Sequence, residues 1–227
     1  AEGIGRVLEC ISGEGADTIF ENLVITGGNT GDNGGGMYND ASSPTLINCT
    51  FTGNRSTNNG GGMYNLESRP ALSHCTFENN LADDSGGAMF NEGSSPALAA
   101  CSFSENQSGD TGGGMYNLGG SPTLENCAFA GNSAYRNGGG VFNIKNSSPV
   151  LEQCTFTNNQ ADFAGGGMYS KGGSPQVTGN TFNGNQANVG GGMYNLESSP
   201  MVLDSSFIGN STENPGLNER SGSENLV

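Results

Sequence analysis

The chain has 227 residues, including 40 glycines, no tryptophan and 33% hydrophobic residues, a composition that does not suit an ordinary layered globular domain. Its 22 acidic and seven basic residues give a net charge of -15. This charge excludes nucleic acids and anionic lipids as partners, because neutralising phosphates requires clustered lysine and arginine. No apolar run approaches the roughly 18 to 20 residues that span a bilayer. We therefore expect no membrane insertion by this chain and place any export signal or anchor outside it.

A repeat of about 26 residues organises most of the sequence. One apolar residue marks each copy, at steps of 26, 26, 26, 26, 27 and 25 residues: Met37, Met63, Met89, Met115, Val141, Met168 and Met193. A second in-phase set is Phe51, Phe77, Phe103, Phe129, Phe156, Phe182 and Phe207. Such a period is typical of a solenoid, in which each coil buries its apolar side chains against its neighbours.

Three short strands are predicted in each coil. In the first regular coil they are residues 34–39, which are too rich in glycine for a helix, residues 42–46, and residues 49–51, where buried and exposed positions alternate. Leu46 and Cys49 can both face inward only if the chain bends between them.

We expect an all-β fold, a right-handed parallel β-helix of roughly eight coils that forms a single domain over residues 1–213. Residues 34–210 supply seven regular coils, and residues 1–33 a degenerate first coil. Residues 214–227 are predicted to form a degenerate last half-coil or a polar tail.

The degenerate first coil is placed in register by counting back one period. Ile11 is then predicted to lie beneath Met37, and Phe20 beneath Leu46. Both positions would continue an apolar column of the later coils, so the β-helix is expected to begin almost at the first residue.

The motifs Gly-Gly-x-Met-Tyr and Phe-x-x-Asn, seen at residues 35–38 and 51–54, resemble the repeats of the polymorphic outer-membrane protein family. They are also similar to the wider class of right-handed parallel β-helix repeats. The resemblance covers about residues 10–210. It implies an exported protein of a class that includes autotransporter passengers, adhesins and polysaccharide lyases, and so leaves activity to be argued from the site.

A cysteine recurs once per coil, and in stacked coils about 4.8 Å apart it becomes a straight column: Cys49, Cys75, Cys101, Cys127 and Cys154. In-register neighbours keep their Cβ atoms farther apart than the ~3.8 Å that a disulfide prefers. The thiols are therefore expected to be buried, mostly unpaired fillers, with paired rungs or metal chemistry as alternatives. Cys10 is out of phase and cannot join the column. Alkylation of the unreduced, denatured protein should label most of the five.

Two asparagine rows also repeat. One follows each phenylalanine by three residues and runs from Asn54 to Asn210, and the other runs from Asn39 to Asn195 with Ser170 as an exception. Asparagine suits tight turns, and its amide can bond to the same residue of the next coil. Both rows are interpreted as structural.

An aromatic column accompanies the methionines with opposite parity: Tyr38, Tyr64, Phe90, Tyr116, Phe142, Tyr169 and Tyr194. If methionine points inward, these rings point outward and form a stripe on the order of 30 Å long. Three interpretations remain open. The stripe is covered and serves stacking between coils, or it packs against another chain, or it stacks on sugar rings.

Acidic residues cluster before the glycine triplet. Asp84 and Asp110 are expected one coil apart, near the ~5 Å carboxyl separation of retaining glycosidases. With Asp83 they offer oxygen ligands for calcium. The alternative is a solvated turn column in which Asp and Asn interchange freely. His74, the single histidine, has no nucleophile or carboxylate in register, so it is not a candidate base.

These observations predict no catalytic, cofactor-binding or metal-binding residues and no cofactor. The expected function is a non-catalytic extracellular or cell-surface solenoid, structural or adhesive, that self-associates end to end into filaments or binds a surface or carbohydrate ligand. The alternative is a polysaccharide-binding or polysaccharide-degrading β-helix, a lyase or glycosidase. The nearly invariant coil length favours the first, since long loops usually wall an enzyme's cleft.

Overall fold

A computed structural model describes residues 5–212, and every strand within them is parallel to its neighbours in one of four eight-stranded sheets. The chain visits the four sheets in the same order in each coil, so the eight coils stack directly on one another. No helix in the described part of the chain is long and apolar enough to cross a membrane. The predicted all-β parallel solenoid of about eight coils is confirmed.

The strands of each sheet come from successive coils. The first sheet contains Leu8–Cys10, Met37–Asp40, Met63–Leu66, Met89–Glu92, Met115–Leu118, Val141–Ile144, Met168–Lys171 and Met193–Leu196. The second contains Ile19–Glu21, Thr45–Ile47, Ala71–Ser73, Ala97–Ala99, Thr123–Glu125, Val150–Glu152, Gln176–Thr178 and Met201–Leu203. The third contains Val24–Thr26, Thr50–Thr52, Thr76–Glu78, Ser102–Ser104, Ala128–Ala130, Thr155–Thr157, Thr181–Asn183 and Ser206–Ile208. The fourth contains Asn29–Thr30, Arg55–Ser56, Leu81–Ala82, Gln107–Ser108, Ser133–Ala134, Gln160–Ala161, Gln186–Ala187 and Ser211–Thr212.

The prediction of three strands per coil is wrong, because a fourth strand of two residues follows each Phe-x-x-Asn turn. Its second residue points inward and is small, as at Ser56 and Ala82, both 0% exposed. Two residues are too few to show an alternating pattern, and serine or alanine gives no hydrophobic signal. The fourth strand is therefore visible only through its pairing with the neighbouring coils.

The first coil departs from the predicted register at one end. Phe20 pairs with Leu46 as expected, but Leu8, and not Ile11, pairs with Met37. The connection between the first and second strands spans residues 11–18 in this coil and only residues 41–44 in the next. Ile11 lies in that longer connection and is exposed. The predicted half-coil or tail at 214–227 lies outside the described residues.

Four inward columns, from the methionine, leucine, cysteine and phenylalanine positions, form the core. The phenylalanine rings stack with centroids 4.6 to 4.9 Å apart, which matches the strand spacing of a sheet. The predicted bend between Leu46 and Cys49 is confirmed, since Asn48 adopts a φ of 51° and both neighbouring side chains are buried. One left-handed residue thus turns the chain between the second and third sheets.

The glycine triplet forms the corner between the fourth sheet and the next coil's first strand. Gly112 has a φ of 67°, and a Cβ on Gly113 would lie 2.4 Å from the carbonyl oxygen of Ser133 in the adjacent coil. Larger residues would force the coils apart at this corner. The motif that identified the repeat is therefore required by backbone packing.

Candidate functional site

The rings of the aromatic column point away from the central core, and four of the seven are buried while the other three are half-buried. Its rings stack on one another with centroids 4.4 to 5.4 Å apart, and Tyr64 and Tyr169 are only 4% and 7% exposed. Ala164 and Val189, from the corner before the glycine triplet, pack against its upper part. Because neighbouring rings occupy each other's faces, the column agrees with the stacking interpretation and does not form an open platform for sugars.

The covered tyrosines have altered acidity. Burial, followed by a hydrogen bond with Glu92, raises the pKa of Tyr64. Burial likewise raises the pKa values of Tyr116 and Tyr169 to about 12. At the lower end the Arg6 guanidinium lies 4.6 Å from the ring centroid of Tyr38, a cation–π contact. These rings favour the neutral state and act in packing.

The acidic column is a set of solvent-facing turns. Asp110 lies one coil beyond Asp84, since its backbone N–H donates to the Asp84 carbonyl at 2.8 Å. Asp83 accepts two hydrogen bonds from Arg55, at 3.2 and 2.6 Å, and Asp110 lies 3.3 Å from Arg136. Among residues 5–212 no group of three or more potential ligands is placed to hold a metal ion. The geometry agrees with the solvated-turn interpretation of this column.

The five column cysteines are buried and free of disulfides, as predicted, and Cys10 is also buried and free of a disulfide. Each column thiol donates to a leucine or phenylalanine carbonyl of the preceding coil, as from Cys75 Sγ to Leu46 O at 3.6 Å. Burial raises the pKa of Cys49, so the reactive thiolate is disfavoured there. Cys10 pairs with Asn39 and does not join the column.

Both asparagine rows are internal ladders. The Asn106 amide nitrogen donates to Phe77 O and to Asn132 Oδ1, both at 2.9 Å, while its Oδ1 accepts from Asn80 N and Nδ2 at 3.0 Å. In the other row, Asn91 Nδ2 donates to the Oδ1 of the next coil's asparagine at 2.8 Å. Nearly all of these side chains are buried, and those of the row that follows phenylalanine also satisfy the backbone of the corners. Their structural interpretation is confirmed.

His74 is exposed at the bend between the second and third sheets. Its φ of 53° is shared by Ala100 and Asn126, which occupy the same corner in the following coils. The position therefore serves the turn, and the histidine stands where any residue that tolerates this backbone can stand.

A groove that sequence reasoning missed runs along the outer face of the second sheet. It has a volume of about 440 Å³ and is lined by side chains and backbone of five successive strands. The middle of its floor is formed by residues with very small side chains: Ala71, Ser73, Ala97 and Ala99. Larger residues border it at both ends: Thr45 and Ile47 in one coil, and Thr123, Glu125, Val150 and Glu152 in the others. The signal in the sequence was the pair of small residues on either side of the inward Leu72 and Leu98.

Two exposed aromatic residues were also missed. Tyr135 and Phe163 are 61% and 55% exposed, at the corner between the fourth and first sheets. They come from consecutive coils, and the Phe163 N–H donates to the Arg136 carbonyl at 2.8 Å. Polar residues such as Asp83 and Asp84 occupy this corner in an earlier coil. The signal in the sequence was the replacement of these polar residues by aromatic ones at this corner.

Stacked coils of this kind, with four parallel sheets and internal ladders, define a parallel β-solenoid. The sequence matches the family described as right-handed β-helix region over residues 8–149 and again over residues 117–227. The chain belongs to this family. Searches of curated proteins and of solved structures gave no match. The narrower resemblance to polymorphic outer-membrane protein repeats stays a prediction.

Proposed function

We propose that this chain is a non-catalytic extracellular or cell-surface solenoid that acts as a structural or adhesive element. The observation that carries the proposal is the groove on the outer face of the second sheet, whose floor is a regular, fully paired stack of strands. Binding surfaces are typically concave, largely apolar and preformed. A groove on a rigid sheet fits attachment to another molecule.

The acidic residues at the groove favour binding over hydrolysis. Glu125 and Glu152 are register partners on adjacent strands and are both exposed. An acid–base pair needs two environments that separate the pKa values of its members, and these two positions are equivalent. The prediction of a non-catalytic protein therefore stands as our proposal for this site.

A polysaccharide panel with and without calcium tests this proposal. We expect no turnover by the full chain, together with retention on a subset of immobilised polysaccharides or peptides that Ala97→Phe abolishes by filling the groove. Turnover that disappears in Asp84→Asn or Asp110→Asn would establish the enzyme alternative. An Ala130→Phe variant, altered on the outer face of the third sheet, serves as the control.

The exposed pair Tyr135 and Phe163 favours a second candidate, polysaccharide binding. Exposed aromatic faces beside Asp110 and Arg136 combine stacking surface with hydrogen-bonding groups. Affinity electrophoresis in polysaccharide gels should then slow the native chain but not the double variant Tyr135→Ala, Phe163→Ala. Ile208→Ala, which removes an exposed apolar side chain elsewhere, should migrate like the native chain.

End-to-end assembly is a further part of the proposal. Among residues 5–212, the first and last strands of the first three sheets pair on one side only, and open edges favour pairing with another chain. In the fourth sheet Gly5 already pairs with Asn29. A contact between unlike ends would propagate into a filament. Light scattering and negative-stain microscopy test it: a monodisperse monomer at high concentration contradicts assembly.

A further inference from the structure

The groove on the second sheet has the length of a short peptide. Its lining runs from Thr45 to Glu152 across five strands, and four steps of about 4.8 Å give about 19 Å along the stack. An extended chain rises about 3.3 Å per residue, so about six residues fit. The strands beneath are paired on both sides, which leaves recognition to side chains.

The floor of the groove favours small apolar groups. Ala71, Ala97 and Ala99 present methyl groups between the larger side chains of the flanking coils. No aromatic residue is among its lining residues, so it offers no ring on which a sugar could stack. The exposed aromatics Tyr135 and Phe163 lie at a different corner. The groove therefore suits aliphatic side chains better than pyranose rings.

The acidic residues at one end of the groove determine which charged groups a ligand should carry. Glu125 and Glu152 face solvent as direct cross-strand neighbours at one end, and like charges in this arrangement destabilise a sheet. No lysine or arginine is among the lining residues, and the whole chain carries a net charge of -15. A cationic group placed between the two carboxylates would relieve their repulsion.

We propose that this groove binds an extended peptide segment of a partner protein, in which aliphatic side chains alternate with lysine or arginine. Aliphatic groups contact the alanine floor, and a basic side chain reaches Glu125 and Glu152. The exposed Arg69 precedes the strand Ala71–Ser73, near the other end. This polarity orients the peptide with its basic side chains toward the two glutamates. The inference rests on the proposed adhesive function and names its partner chemistry.

Fluorescence anisotropy with the full chain and a labelled peptide of about eight residues, alternating valine and lysine, tests the proposal. The double variant Glu125→Gln, Glu152→Gln should weaken binding about tenfold or more, since a tenfold loss corresponds to about 1.4 kcal/mol and charge-assisted contacts to the two carboxylates contribute at least that much. The matched control Glu78→Gln, Glu105→Gln removes the same charge from another face and should change affinity by about twofold or less. A peptide with glutamate in place of lysine should not bind.

Each other outcome overturns either the peptide proposal or the adhesive function. Equal loss in both double variants would reveal non-specific attraction to the acidic surface. Binding of a neutral cello-oligosaccharide that Ala97→Phe blocks would assign the groove to sugars. If Ala97→Phe abolishes retention on immobilised surfaces but the lysine peptide never binds, the adhesive function stands and the peptide chemistry is wrong. If Ala97→Phe leaves retention unaffected and the lysine peptide does bind the native chain, the adhesive role of the groove is wrong instead.

Discussion

The inner and outer faces of the second sheet differ although the same strands build both. Inward, the strands place a leucine or valine in a buried column: Leu46, Leu72, Leu98, Leu124, Leu151 and Val177. Outward, the neighbouring positions range from Ala97 through Thr123 to Glu152, and this variation creates the groove. The inner column must fill a constant space against identical neighbours. The outer face is free of that constraint, so its variation is where binding properties can arise.

The largest expected effect comes from breaking the inner face. Phe103→Ala removes one ring from the stacked column, in which Phe103 is 0% exposed and lies 4.9 and 4.6 Å from its neighbours. We expect the free energy of unfolding to fall by about 3–5 kcal/mol. Urea unfolding followed by circular dichroism measures it. Ser104→Ala, at the adjacent outward position, should change the free energy of unfolding by no more than about 0.5 kcal/mol. Similar losses in both variants would contradict the distinction between inner and outer positions.

Breaking an internal ladder is expected to cost somewhat less. Asn106→Ala leaves the Asn80 amide without its acceptor in a buried corner. We therefore expect the free energy of unfolding to fall by about 3 kcal/mol. Asn126→Ala is the matched control, because Asn126 is exposed and Ala100 already shows that alanine fits that corner. Urea midpoints compare the two. Equal effects would mean that the ladder adds nothing beyond turn propensity.

The aromatic column combines properties of an inner and an outer face, because its rings point away from the core and yet most of them are buried. Tyr116 has a pKa of about 12 in the fold and about 10 when unfolded. Burial favours its neutral form, so its contribution is complete below pH 10 and lost as the pH rises to 12. Tyr116→Phe, the residue found at this position in two other coils, should reduce the alkaline loss of stability by about 2 kcal/mol. Denaturation at pH 9 and 12 tests this, and an unchanged slope would contradict it.

The smallest expected effect comes from extending the asparagine row that begins at Asn39 by one coil. Asn39 Oδ1 is buried and has no hydrogen-bond partner within residues 5–212, and Cys10 lies opposite it. Cys10→Asn would supply the amide donor that the later coils already have, raising stability by about 1 kcal/mol. Thermal unfolding compares it with Cys10→Ala, which supplies no donor. A Cys10→Asn protein no more stable than Cys10→Ala would show that the ladder cannot be extended.

The sequence by itself determined the period, the parallel stack, the four inward columns and the unpaired cysteines. These follow from one physical requirement: each coil buries its side chains against a copy of itself, so the core repeats in the sequence. Met37, Leu46, Cys49 and Phe51 are 0% exposed, as their spacing predicts.

Only the tertiary structure decided the fourth strand, the register of Leu8 with Met37, the cover over Tyr64 and the groove at Ala97. The fourth strand and the first-coil register depend on how the chain turns its corners. One longer connection in the first coil changes which residue pairs with Met37. The cover and the groove depend on side-chain size compared across coils and corners, since a small residue makes a depression only when its neighbours are larger. Such differences lie between residues about 26 positions apart or more, and no local pattern encodes them.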